Sequence, residues 1–256
     1  IDSAIHRVRD KADISYGDID IDFVLLDLSI NAISVTLPQG QHLSIDQVTI
    51  QDVDYHHPRR PLYMTMEITG IHLDVSQENL GPAFEDFAGL GYSHIAMDLH
   101  LNYKLDPFSN NLKLTELKVI APGIGTLRTT FHMSNFHADT IMAGRFDNVI
   151  VEDFFLYYDD DSLLRKLFSI AAETEPEFVD FFIEGLREDL HQANQEYNER
   201  GARSIGELID FLQKPQRLSI TVDQQRPIVI RNIMLFKKIS DLLTLFLINF
   251  DSGPVM

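Results

Sequence analysis

The sequence predicts an α+β protein: a curved antiparallel β-sheet meander with a helical insertion and an apolar C-terminal helix packed on it. Three observations predict it. Ile95, Met97, Leu99, Leu101, Tyr103 and Leu105 alternate without a fault with Ala96, Asp98, His100, Asn102 and Lys104. Period two is the signature of a half-buried strand. After Tyr158 the apolar spacing changes to that of helices, and Ile233–Phe250 is apolar on more than one face. Strands in one run followed by helices in another is the α+β layout.

Residues 1–13 are charged and mixed, and read as a stalk or short helix following a removed signal or anchor segment. Residues 14–158 form the β meander, 159–214 the helical block, and 215–256 the returning strands and C-terminal helix, all within one integrated domain. Tyr16-Gly17 opens the first strand. Ile19, Ile21 and Phe23 alternate with Asp18, Asp20 and Asp22, while Leu26, Leu28 and Ile30 continue with the opposite parity. A bulge or bend is therefore expected near Val24–Leu25.

An internal repeat follows. Two apolar pairs, each of the form apolar–x–apolar, are separated by two residues in Leu43-Ile45-Val48-Ile50, Met66-Ile68-Ile71-Leu73, Leu112-Leu114-Leu117-Val119 and Val149-Val151-Phe154-Leu156. The spacing flips side-chain parity in mid-strand. A strand keeps its apolar face through such a flip by a bulge, expected at Gln47, Gly70 and Glu116. Between repeats, His56–Pro61 reads as a polar loop and Glu78–Gly91 as a short helix or lid. Asp106-Pro-Phe-Ser-Asn-Asn111 has turn chemistry.

Asp159-Asp160-Asp161-Ser162 is placed to cap a helix that carries Leu163, Leu164, Leu167, Phe168 and Ala171. Pro176 starts a second helix, with Phe178, Phe181, Phe182, Leu186 and Leu190 as its stripe. Ser204 and Glu207 form a capping box for a third helix, Ile205–Gln213, stopped at Lys214-Pro215. Leu218, Ile220 and Val222 return to a strand, with Ile228–Ile230 as its hairpin partner. The C-terminal helix is about 27 Å long at 1.5 Å per residue, near a bilayer core. Lys237, Lys238 and Asp241 in its first half make spanning costly, so it is expected to close the core.

The net charge of −18 opposes nucleic acid and anionic headgroups alike. No cysteine is present, which excludes disulfides, thiolate catalysis and cysteine-ligated metals. Asp18, Asp20 and Asp22 imitate a calcium loop, but Phe23 and Ser29 stand where glycine and glutamate are required. The ten histidines form no HExxH or HxH pair, and no GxSxG, Walker loop or GxGxxG occurs. No metal, cofactor or catalytic residue is implied, and the expectation is a non-enzyme.

The "YGDIDID" opening, the repeated strands and the meander "LHLNYKLDPFSNNLKLTELKVIAPGIGTL" resemble AsmA-like periplasmic proteins of Gram-negative bacteria. The resemblance covers residues 14–160 and 216–230. It implies a periplasmic envelope protein, associated with the inner membrane through a segment upstream of residue 1, with a role in lipid or outer-membrane homeostasis. It carries no catalytic residues. The helical block 162–213 departs from the family's repetitive β character and points to a single closed or half-closed sheet rather than a long lipid-conducting groove.

Two functions from different classes follow. One is a binding module for lipid or another apolar ligand, lined by Met64, Met66, Met97, Leu99, Leu101, Phe131, Met133, Phe181 and Phe182. Methionine suits an adaptable pocket, although the same residues would also make an ordinary dry core. The other is a structural or interaction protein that docks an envelope partner through its acidic surface and apolar C-terminal helix.

Overall fold

The computed structural model describes residues 12–22, 24, 27–58, 60–137, 144–174, 176–222 and 227–233. The expected C-terminal helix beyond Ile233 and the expected stalk up to residue 11 lie outside them. The fold class is as the alternation and the helical spacing require: α+β, with an antiparallel sheet and helices. The chain forms two compact units, Ile1–Asn102 with Lys118–Pro122, and Tyr103–Leu117 with Gly123–Met256.

The first unit holds strands β1 (Asp13–Ser15), β2 (Ile19–Asp22), β3 (Asp27–Thr36), β4 (His42–Gln51) and β5 (Tyr63–Asp74). Strand β1 begins before the expected opening at Tyr16. The parity change expected as a bend near Val24–Leu25 is a full reversal, because β2 pairs antiparallel with β3 from Asp22↔Asp27 to Ile19↔Ile30. Both β1 and β2 lie along β3. Their step past Ala32 is bridged by the Gly17 N–H donating to the Asn31 carbonyl at 2.9 Å.

The register lines up apolar side chains across strands: Ile21, Leu28, Ile50 and Met66 in one row, Ile19, Ile30, Val48 and Ile68 in the next. Beyond a break, Ile33, Ile45 and Ile71 form a third row, and Ile14, Val35, Leu43 and Leu73 a fourth. At the break, Ala32, Asp46 and Gly70 all drop out of the pairing, since Asn31↔Gln47↔Thr69 is followed by Ile33↔Ile45↔Ile71. One omitted residue per strand carries the apolar side chains through the parity flip to the same face. The expected irregularity at Gly70 is present. In β4 the unpaired residue is Asp46, and Gln47 pairs normally. Neighbouring cross-strand partners form the polar rows: Ser29 and Thr49 hydroxyls lie 3.2 Å apart, and Gln47 Nε2 donates to Asn31 Oδ1 at 2.9 Å.

Short helices α1 (Gln77–Leu80) and α2 (Phe84–Gly89), joined by a 3-10 turn at Gly81–Ala83, occupy the expected lid segment. The Ser76 hydroxyl caps α1 by accepting from the Asn79 N–H at 3.2 Å. Strands β6 (His94–Asp106) and β7 (Asn111–Ala121) follow, joined by the expected turn, and each places residues in both units.

The second unit contains β8 (Gly125–Ser134), β9 (Ile150–Asp160), helices α3 (Leu163–Thr174), α4 (Pro176–Gln195) and α5 (Glu199–Gln213), then β10 (Arg217–Val222), β11 (Ile228–Val229) and the single turn α6 (Ile230–Ile233). Its apolar rows are Leu156–Ile220, Phe131–Phe154–Val222 and Met133–Val151–Ile228, with Thr129 opposite Leu156. The fourth repeat also bulges: His132 pairs Asp153 and Met133 pairs Val151, leaving out Glu152, whose carboxylate accepts from the Ser134 hydroxyl. The expected hairpin between Ile228–Ile230 and β10 is not formed. Strand β9 is long enough for both segments, and β10 and β11 satisfy their backbone groups one after the other along the same edge.

Leu218 and Ile220 of β10 pack against the buried Leu186, Ala193, Ala202, Ile205 and Ile209 of α4 and α5. This is one of two buried clusters among the described residues of the second unit, the other being Val222 and Ile228 against Val151 and Phe154. The first corrects the expected stripe of α4: Phe181 is 79% and Phe182 46% exposed. Ile183, Leu186, Leu190 and Ala193 recur at helical spacing on one side. At about 100° per residue, Phe181 falls roughly on the opposite side and Phe182 on the flank. The expected capping box is also displaced. Helix α5 begins earlier, capped by Asn198, whose Oδ1 accepts from the Gly201 N–H at 2.9 Å, and Ser204 is buried within the helix.

Candidate functional site

A cavity of about 630 Å³ lies in the second unit, among α3, α4, the end of α5 and the segment leading to β10. Each wall has a local cause. Helix α3 is set by Asp160, the last residue of β9. Its Oδ1 accepts from the Leu164 N–H at 2.8 Å and its Oδ2 from the Arg165 N–H at 3.3 Å. The carboxylate thus takes up the donors that a helix N-terminus leaves free. Tyr158 donates to the same carboxylate at 2.8 Å, and Arg165 Nε at 3.2 Å. On the other face of β9, Tyr157 and Arg217 Nε both donate to Asp159 Oδ2 at 3.2 Å. Burial, then the Asp159 charge, push the Tyr157 hydroxyl above its ordinary pKa.

Helix α4 starts at Pro176, and α5 stops at Lys214-Pro215, where proline supplies no N–H to continue it. Phe168, Ala171, Phe182, Ile183, Leu212 and Pro215 form the apolar lining, and Arg165, Ser169, Gln213, Lys214 and Gln216 the exposed polar rim. The volume falls within the roughly 300–1,000 Å³ of small-molecule sites, which combine apolar walls with a few polar groups.

Of the liners expected from the sequence, only Phe182 reaches this cavity. Met64 and Met66 are half-buried in β5, where Met66 belongs to an apolar row of the first unit. Met97, Leu99 and Leu101 are half-buried in β6. Phe131 and Met133 are half-buried in β8, opposite Phe154 and Val151. Phe181 is turned to solvent. Phe168, Ala171, Ile183, Leu212 and Pro215 supply the rest of its apolar lining. The helical spacing that marks Phe168 and Ala171 was legible, but their meeting with Leu212 and Pro215 depends on how the helices pack.

A second constellation is the loop after β4. Asp54, 3% exposed, accepts from the His56 N–H at 3.0 Å, the Leu62 N–H at 3.1 Å and His57 Nδ1 at 2.7 Å. Burial pushes its carboxyl up, but the Leu62, His57 and His56 hydrogen bonds outweigh this and hold its pKa below the ordinary value. With its oxygens committed to the loop's own groups, Asp54 is a staple for residues 54–63, closed by the Asp54 N–H donating to the Tyr63 carbonyl at 3.1 Å.

Among the described residues no group of three or more His, Asp or Glu is placed to hold a metal ion, and no helix is long and apolar enough to cross a membrane. No curated protein and no solved structure matches the chain. Residues 118–249 match a family model described as "Uncharacterized protein". The match spans more than half of the sequence, including β8, β9 and all the helices that line the cavity, and the chain belongs to that family of uncharacterized proteins.

Proposed function

We propose that this protein is a non-enzymatic envelope protein that binds lipid or another apolar ligand and helps to move it. The observation that carries this reading is the cavity of about 630 Å³ whose walls are Phe168, Ala171, Phe182, Ile183, Leu212 and Pro215. The periplasmic location, the inner-membrane association and an envelope protein partner belong to the same proposal. They are supported by the resemblance of residues 14–160 to AsmA-like periplasmic proteins. Native mass spectrometry of the full chain tests the binding. A lipid-sized mass adduct is expected, and Phe182→Ser should remove it without lowering the melting temperature, since Phe182 is 46% exposed. An adduct-free protein would count against the reading.

A docking protein is the second reading. Leu167 and Phe181 expose 41% and 79% of their surface on α3 and α4, as apolar residues of an interaction surface do. It predicts an adduct-free chain that forms a stable complex, lost in Phe181→Ser.

A further inference from the structure

We propose that the cavity of the second unit takes a single-chain amphiphile with an anionic head, of the long-chain carboxylate type, and that Lys214 recognises the head. This rests on the apolar-ligand reading and adds the ligand's chemistry.

Charge around the cavity runs against charge in the chain. Acidic residues outnumber basic ones 39 to 21 overall, yet among the described residues the lining contains Arg165 and Lys214 and neither Asp nor Glu. The two cations are not equivalent. Arg165 is already engaged: its Nε donates to Asp160 Oδ2 at 3.2 Å and its Nη2 to the Asp161 carbonyl. Lys214 is exposed at the rim, and among the described residues its ammonium forms no ion pair.

An ammonium is a compact point charge with three donors that follows a head group by rotating its stem. The same rim carries Gln213, Gln216 and Ser169, which supply neutral hydrogen-bonding groups. In the lining, Phe168, Ile183 and Leu212 are half-buried, a wall against which each methylene taken from water contributes about 0.8 kcal/mol in an acyl chain. A volume of about 630 Å³ suits one chain and a small head, the size of a drug-like ligand.

The test titrates the full chain with laurate, 1-dodecanol and dodecyltrimethylammonium below their aggregation concentrations. All three carry a twelve-carbon chain, and their heads are anionic, neutral and cationic. Laurate is expected to bind about tenfold more tightly than dodecanol, the equivalent of one charge-assisted contact, with the cation weakest. Added salt should weaken laurate alone. Lys214→Gln should bring laurate to the dodecanol level and leave dodecanol unchanged, while Lys104→Gln on β6 should alter neither. Equal binding of laurate and dodecanol, or a laurate preference that survives Lys214→Gln, overturns this proposal and leaves the apolar-ligand reading standing. Absence of binding by all three overturns both.

Discussion

At Gly70 a single residue lets the apolar face of a strand continue through a change of parity. Its φ of 62° is left-handed, and its N–H donates to Asp98 Oδ1 at 2.8 Å. A Cβ there would stand 2.1 Å from Asp46 Oδ2. Gly70→Ala should therefore destabilise the protein by about 1–2 kcal/mol from the backbone conformation alone, with a further loss from displacing Asp46. Thermal unfolding of the variant measures it, and an unchanged midpoint would contradict this account of the bulge. Ala32 of β3 adopts a φ of 52° at the same break, where relief of the same strain makes Ala32→Gly neutral or slightly stabilising in the same measurement. Asp54 makes the pH prediction. Its folded pKa lies below that of an ordinary aspartate, so it contributes stability that is present above the ordinary value and lost as pH falls through the folded pKa. Asp106, lowered by the Ser109 hydroxyl and the Phe108 and Ser109 N–H groups, acts in the same direction. Asp54→Asn and Asp106→Asn should each flatten the acid limb of the stability curve below about pH 4, read by denaturant unfolding at several pH values.

At the scale of elements, helix α4 separates what spacing alone can say from what packing decides. Its sequence offers aromatic residues at Phe178, Phe181 and Phe182 and aliphatic ones at Ile183, Leu186 and Leu190. The helix turns the aliphatic set to the core, where Leu186 is 2% exposed, because Ala193 and Ala202 allow α4 and α5 to approach closely beneath β10. Leu186→Ala should cost about 2–5 kcal/mol as a buried deletion. Phe181→Ser should fall within about 0.5 kcal/mol of the parent, as an exposed substitution does. Parallel chemical denaturation of the two variants decides it, and comparable losses would mean that the stripe is assigned wrongly. The same helix pair shows how a capping motif misleads. Ser204 and Glu207 have capping-box spacing, but Asn198 lies six positions earlier, after the break at Tyr197 with its φ of 57°, and it takes the role. A side chain caps only if the chain before it leaves the helix, which the residue pattern from 199 onward does not require.

For the molecule as a whole, the net charge of −18 with no basic stripe predicts no association with DNA or RNA at physiological salt. A gel shift at micromolar protein that weakens with salt would contradict it. Most of the strands and the bulged repeat were determined by the sequence, because alternation and parity are local properties. Leu43–Ile50, Met66–Leu73 and Val149–Leu156 each announce a parity flip, and the pairing omits Asp46, Gly70 and Glu152 to meet it. Helix existence was determined likewise, by Pro176, Lys214-Pro215 and the acidic cap before Leu163. Which face each helix buries, the placing of Ile228–Val229 beside β9 rather than β10, and the cavity itself were decided only by tertiary structure. Phe168, Phe182 and Leu212 come from three helices, and no periodicity within one segment reports the space left between segments. The apolar residues most regular in sequence, Met97, Leu99 and Leu101, lie in a strand because regular alternation specifies a sheet face. A cavity requires adjoining elements to pack imperfectly, and that is a property of their meeting rather than of any one of them.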